Sequence, residues 1–201
     1  MKKATILLFL FLISHISFGQ RFDILSGQLE NLKEISEYNI TFDYKDLQVN
    51  GFDSEQAYLD EKIEKRKNYD NGQDLSGKAE KFEKDWYADR QNKYEPAFID
   101  YFNKRFENGE ISVGKNSEAK YTMNIKTLWI YPGYELVQVE PAKISAVITI
   151  SETANPINVL LAIKFDKSIG IIKDHREQGD RIAGAYERLA KNFIIQLKRI
   201  L

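Results

Sequence analysis

Between Ala119 and Phe165 the chain reads as three consecutive β-strands, Ala119–Tyr131, Ala142–Glu152 and Val159–Phe165. In the first, Tyr121, Met123, Ile125, Thr127, Trp129 and Tyr131 recur at every second position. Thr122, Asn124 and Lys126 take the other side until Leu128 and Ile130 make that side apolar too. In the second, Ile144, Ala146, Ile148 and Ile150 alternate with Ser145, Val147, Thr149 and Ser151. A sheet with one strongly apolar face needs a cover, which predicts helices packed on one side of it.

The rest of the sequence supplies those helices. Tyr38, Ile40, Phe42 and Tyr44 alternate with Asn39, Thr41 and Asp43, a further strand. Asp53 with Gln56 has the form of a capping box opening a helix to about Lys67, with Tyr58, Leu59 and Ile63 as its seam. Glu55, Asp60, Glu61, Lys62, Glu64, Lys65 and Arg66 crowd its solvated side. Asn71-Gly72 and Ser76-Gly77 frame the loop that follows. Helical spacing resumes from Lys78 through Phe82, Trp86 and Arg90 to Phe106, interrupted by Pro96, which predicts a kink or a second helix with Pro96 in its first turn. Tyr131-Pro132-Gly133-Tyr134 fits a type II turn. Ser168 to Gln178 reads as an irregular connection, and Asp180 as a cap for a last helix. Ile182, Ala185, Tyr186, Leu189, Phe193, Leu197 and Ile200 form the apolar stripe of that helix. Arg181, Arg188, Lys191, Lys198 and Arg199 are expected on its opposite surface. Phe22 to Lys33 is read as a lead-in.

The expected fold is therefore α/β of the α+β kind, in the order β-α-α(α)-β-β-β-α. A single layer of mixed or mostly antiparallel sheet, about four strands, has its helices packed on it.

The first residues give an address. Lys2 and Lys3 precede a weakly polar or apolar run from Ala4 to Phe18, and Ser17 and Gly19 are the small residues of a cleavage site. That run falls short of the roughly twenty residues that span a bilayer. The reading is a cleaved signal peptide over residues 1–19, one α/β domain over 20–201, and a periplasmic or secreted location. With no cysteine, the chain has no disulfide, no thiolate metal site, no thiol nucleophile and no lipidated cysteine as an anchor. The mature chain is expected to carry no stable membrane anchor.

Loss of Lys2 and Lys3 leaves 27 basic against 30 acidic residues, a net charge of −3. A nearly balanced chain lacks the basic footprint of a nucleic-acid binder, and that class is set aside. No Gly-x-Ser-x-Gly elbow, phosphate-cradling glycine loop or ligand-spaced metal motif is present, so no catalytic residue, metal or cofactor is assigned. His175, the single histidine of the mature chain, follows Asp174 and precedes Glu177, either as an acid/base candidate or as part of a solvated loop. The aromatic content is more informative. Phe82, Trp86, Tyr87, Tyr94, Phe98, Tyr101 and Phe102 exceed what one narrow helical stripe needs. They cover the sheet and one another, or some join Trp129, Tyr131 and Tyr134 in lining a groove for a glycan, peptide or apolar ligand. Trp86 and Arg90, one helical turn apart, are also placed to stack. The binding candidates are thus Trp86, Arg90, Trp129, Tyr131, Tyr134 and His175.

Asp23-Ile-Leu-Ser-Gly27, Asn39-Ile-Thr-Phe-Asp-Tyr44, Trp86-Tyr-Ala-Asp-Arg90 and Glu140-Pro-Ala142 resemble a group of exported proteins of the Bacteroidota, about 200 residues long and without an assigned function. The resemblance spans most of the mature chain, implies an envelope or secreted location, and transfers no catalytic residue. The element order is similar, as fold analogy only, to the small N-terminal domain of TolB-type envelope proteins. The function expected is a non-enzymatic binding or interaction module of the cell envelope, its partner an envelope protein or a glycan or peptide ligand. The alternative is a carboxylate-dependent, for example glycan-directed, hydrolase, which requires two acids facing across a concave pocket.

Overall fold

The computed structural model describes residues 21–68, 76–106, 109–135, 139–171 and 177–201. The leader, Asn71-Gly72 and His175 lie outside these. The architecture is mixed α/β: one seven-stranded sheet with helices on one face. The strands are β1 (Phe22–Gly27), β2 (Glu37–Asp43), β3 (Gln48–Val49), β4 (Ser112–Gly114), β5 (Tyr121–Tyr131), β8 (Lys143–Glu152) and β9 (Val159–Ile169). A separate two-stranded hairpin, β6 (Tyr134–Glu135) and β7 (Val139–Glu140), links β5 to β8. The order across the sheet is β1-β9-β8-β5-β2-β4, with β3 beside the far end of β5. β5, β8, β9 and β1 pair antiparallel, whereas β2, β3 and β4 run parallel to their neighbours. The crossover from β2 to β5 passes through α1 (Glu55–Asn68), α2 (Ser76–Asp89) and α3 (Glu95–Asn103), and α4 (Gln178–Leu197) closes the chain.

β9 runs on to Ile169, past the Phe165 expected from the sequence, and the sheet gains β1, β3 and β4 where the sequence reads as loop. β1 is an edge strand exposed along most of its length, so its residues lack the apolar alternation that marks a half-buried strand. β3 and β4, at two and three residues, are too short to carry a period.

The core lies between the sheet and α3 and α4. Ile40, Met123, Ile125, Ile148, Ile163 and Phe165 meet Phe98, Phe102, Leu189 and Phe193, all essentially without solvent contact. Phe193 packs edge-on against Phe165 with ring centroids 6.4 Å apart, joining the last helix to the sheet. Each such side chain contributes about 2 kcal/mol through burial. Tyr186 reaches the sheet itself, its hydroxyl 2.6 Å from Thr127 Oγ1.

Local start and stop signals differ in detail from the sequence reading. Ser54, not Asp53, caps α1: its Oγ accepts the Ala57 N–H at 3.1 Å, while Gln56 turns outward to Asp60. Ser76 and Gly77 lie in the first turn of α2. α4 begins at Gln178, two residues before Asp180, and Asp180 in its first turn instead holds Lys93 at 3.1 Å. Arg181 is not on the solvated side, since it is buried and its Nε donates to Pro132 O at 3.3 Å. Pro96 stands in the first turn of a second helix, one of the two arrangements expected from the sequence. A π-helical turn, Arg90–Tyr94, joins α2 to α3, with the Glu95 N–H bonded to Arg90 O five residues back. That turn brings Pro96 into the first turn of α3, where no amide proton is needed.

Candidate functional site

The uncovered face of the sheet is polar along most of its width. In register across it stand Asp23, Lys164, Val147, Lys126 and Asp43, with Thr41 beside Asn124 and Thr149 in the adjacent row. At one end this pattern gives way to aromatic rings, and two bulges are the reason. On β5, Leu128 is an extra residue between Thr127, opposite Ala146, and Trp129, opposite Ser145. On β9, Asp166 and Lys167 both face Ser145, because Ile144 pairs with Ser168 and Ala146 with Phe165. Ser145 ties the second bulge together: its hydroxyl donates to Asp166 Oδ1 at 2.8 Å and accepts the Lys167 N–H at 3.0 Å. Lys167 takes a left-handed φ of 49° there.

The first bulge reverses the side-chain alternation. Trp129 and Tyr131 do not continue the Tyr121–Thr127 side as the period implies. They emerge on the open face while Ile130 enters the core. Their rings are nearly parallel, 15° apart, with centroids separated by 6.4 Å. Lys167 approaches the Trp129 ring at 5.9 Å and Lys143 the Tyr131 ring at 4.9 Å. Tyr131, Lys143 and Ile169 stand side by side on neighbouring strands, and Ile169 is exposed.

Tyr134 completes the cluster. Gly133, at φ 67°, supplies the positive angle of the Pro132-Gly133 turn, and a Cβ there would lie 2.3 Å from Glu140 O. The turn returns the chain so that Tyr134 pairs with Glu140 and remains 47% exposed. Glu140 is the polar centre: hydrogen bonds from Tyr131 and then Lys143 hold its carboxyl below the ordinary value, with Tyr134 contributing. Lys143 Nζ is 3.1 Å from it. Partial burial and the bond to Glu140 push the Tyr131 hydroxyl up to about 12. The end of the sheet is thus a flat aromatic surface rimmed by ammonium, carboxylate and hydroxyl groups.

The other two described candidates sit elsewhere. Trp86 is 3% exposed and its Nε1 donates to Glu55 Oε1 at 2.5 Å. Arg90 bonds the same oxygen and lies against Tyr44 and Tyr87, its guanidinium carbon 4.4 and 4.9 Å from the ring centres. Trp86 and Arg90 therefore converge on Glu55 and join α1 to the π-helical turn. Trp86, Tyr94, Phe98 and Phe102 are buried in the packing between helices and sheet, whereas Tyr87 stays 40% exposed.

A concavity of about 410 Å³ lies between α2 and the start of α4, with Arg66, Phe82, Asp85, Asp89, Lys93 and Glu177 on its walls. Lys93 Nζ is its centre, 2.9 Å from Glu177, 3.1 Å from Asp180 and 3.5 Å from Asp89. Burial acts to lower Lys93, but its bonds to Glu177 and Asp180 outweigh this and hold the ammonium above its ordinary value. Burial dominates at Asp89, whose carboxyl is raised despite Lys93. Among the described residues no group of three His, Cys, Asp or Glu side chains is arranged to hold a metal ion, and no helix is long and apolar enough to cross a membrane.

Neither protein-family models nor curated proteins give a match to this chain.

Sequence reasoning singles out Trp129, Tyr131 and Tyr134, which the structure brings together, but not Ser145, Lys143, Lys167 and Glu140, which arrange them. The one available signal is the run Leu128-Trp129-Ile130, three bulky apolar residues that break a period of two.

Proposed function

We propose that this chain is a non-enzymatic binding module of the cell envelope, exported by its N-terminal leader, and that Trp129, Tyr131 and Tyr134 form its recognition surface. The observation that carries this reading is the pair of parallel rings on a sheet face that none of the described helices covers. A solvated sheet otherwise built of Thr, Asn, Lys and Asp has no packing use for them there. Aromatic faces stack against the C–H face of a sugar ring, and the Lys143, Glu140 and Lys167 rim offers donors and acceptors to its hydroxyl groups, so the ligand class is a glycan.

The chain has two tryptophans, and Trp86 is enclosed and bonded to Glu55. Titration of the mature chain with soluble peptidoglycan fragments is therefore expected to change the fluorescence of Trp129. The change persists in Trp86→Phe and disappears in Trp129→Phe. Sedimentation with intact peptidoglycan gives the second readout, lost in a Trp129→Ala, Tyr131→Ala double variant. Equal sedimentation of that variant and the parent overturns the reading. Sequencing the N-terminus of the protein recovered from the envelope tests export, with Gln20 the expected first residue.

One observation favours the hydrolase alternative: Asp89, its carboxyl raised by burial, shares a concave wall with Glu177. Both carboxylates, however, contact the ammonium of Lys93, which neutralises the base such a mechanism needs. Release of reducing ends from peptidoglycan fragments that is abolished by Asp89→Asn would restore the hydrolase.

A further inference from the structure

β4 pairs with only the first part of β2: Glu37 with Ser112, Tyr38 with Val113 and Asn39 with Gly114. The bond from Ser112 N–H to Ser36 O, at 2.8 Å, fixes which residues of β2 point their backbone groups outward. In a parallel ladder these alternate, so Ser36, Tyr38, Ile40 and Phe42 face β4, whereas Asn39, Thr41 and Asp43 face β5. After Gly114 the chain turns away, with Asn116 N–H bonded to Gly114 O and to the Asn39 side chain. Ile40 C=O and both backbone groups of Phe42 are then directed to the outer edge, and no described residue bonds them there.

This free edge borders a shallow, open concavity. A pocket of about 440 Å³ runs along residues 39–42 of β2, bounded by Gln91 of the π-helical turn, Glu95 of α3 and Lys115 beyond β4. Its walls are a strand edge and a helical segment, the arrangement in which an extended backbone is added to a sheet. Glu95 is the charged group on the helical wall and is only 8% exposed. Its Oε2 is 3.1 Å from Lys115 Nζ, and the Lys115 side chain is 67% exposed. An acid largely withdrawn from water is thus neutralised by an exposed lysine that another cation can replace.

We propose that this slot takes an extended peptide segment of a partner protein as an eighth strand against Ile40 and Phe42, with a lysine or arginine side chain of the segment on Glu95. The assignment of an extended backbone follows from the unpaired edge, and that of a cation from the withdrawn carboxylate. The site is separate from the aromatic surface, on another strand edge, and stands without it.

The test uses the full mature chain, ¹⁵N-labelled, and two end-blocked eight-residue peptides of alternating threonine and valine, one with a central lysine and one with a central glutamate. In the free protein the Phe42 amide is expected to exchange with solvent at least tenfold faster than those of Thr41 and Asp43, which face β5. The lysine peptide slows Phe42 exchange by at least tenfold at saturation, and the glutamate peptide does not. Glu95→Gln weakens the lysine peptide by about tenfold and leaves the thermal midpoint within a few degrees of the parent, while Trp129→Ala leaves peptide affinity unchanged. Phe42 exchange that stays fast with saturating peptide overturns the proposal, as does equal binding of the two peptides. Protection of Phe42 that appears without peptide and is lost on dilution assigns the edge to a second copy of the chain and overturns it as well.

Discussion

Asp89 Oδ2 lies 1.9 Å from where a Cβ would stand on Gly179. The carboxylate thus occupies space that only glycine leaves, against the first turn of α4, and Lys93 binds it to Glu177 and Asp180. Negative charge at that end complements the unpaired amides of a helix N-terminus. Gly179→Ala is expected to displace Asp89 and to lower stability by about 1–3 kcal/mol. In an Asp89→Ala background the same substitution costs much less, because the obstructing atoms are gone. Urea midpoints of the four proteins close the cycle, and a Gly179→Ala cost independent of Asp89 would show that the contact carries no energy.

Glu55 holds Trp86 Nε1 and Arg90 together between α1 and the π-helical turn. Glu55→Ala leaves a partly buried guanidinium and a buried indole N–H without their carboxylate, a loss on the order of 3 kcal/mol. Trp86→Phe removes only the neutral donor and some packing, and Arg90→Met removes the charge that needs Glu55. Thermal denaturation of the Glu55→Ala, Arg90→Met pair is expected to show recovery relative to Glu55→Ala alone.

Ser145 joins the two bulges that turn Trp129 outward. Ser145→Ala removes the bonds to Asp166 and to the Lys167 amide, with an expected cost of about 1–2 kcal/mol. Glycan-dependent fluorescence is expected to weaken with it, because the strand that presents Trp129 loses its fixed partner. Lys167→Gly acts in the opposite sense on stability. Relief of a left-handed φ at a residue with a side chain is worth roughly 1 kcal/mol, and a lower urea midpoint in Lys167→Gly contradicts the bulge geometry.

Alkaline pH is expected to destabilise the fold. Burial raises the hydroxyls of Tyr38, Tyr94 and, to about 12, Tyr186 above the ordinary 10.0. Between that value and their folded values the unfolded chain has released protons that the folded chain retains, so stability falls as pH rises and is intact below pH 10. Lys93, raised above 10.5 by its carboxylates, contributes stability that is present below its unfolded value and lost above it, the same direction. The slope is roughly 1.4 kcal/mol per pH unit for each group. Urea midpoints measured across this range give the slope, and Tyr186→Phe is expected to make it shallower by one group.

The central strands and the last helix were legible because each buries one face and writes a clean period. Ile144 to Ile150 and Ile182 to Leu197 needed nothing beyond alternation by two or by three and four. Trp129 was read on the wrong side because an added residue at Leu128 inverts every later side chain, and only the apolar run Leu128-Trp129-Ile130 hints at it. β1 was missed for the complementary reason: an edge strand held by backbone pairing to β9 has no buried face to announce. Asp89 and Gly179 meet across 90 positions of the chain, a contact that only the packing of the π-helical turn on α4 creates.

The row that runs from Asp23 through Lys164 and Lys126 to Asp43, two lysines flanked by two acids, has a use beyond hydration. A ribbon with one bare surface is prone to pile onto a sister molecule, and oily bare surfaces pile fastest. Here any flush approach of two such surfaces sets lysine near lysine unless the copies are offset, and strips water from ions with nothing gained. One face of the sheet can therefore stay bare among copies of the chain, with its rings confined to the far end, where we propose a visitor and not a twin is met.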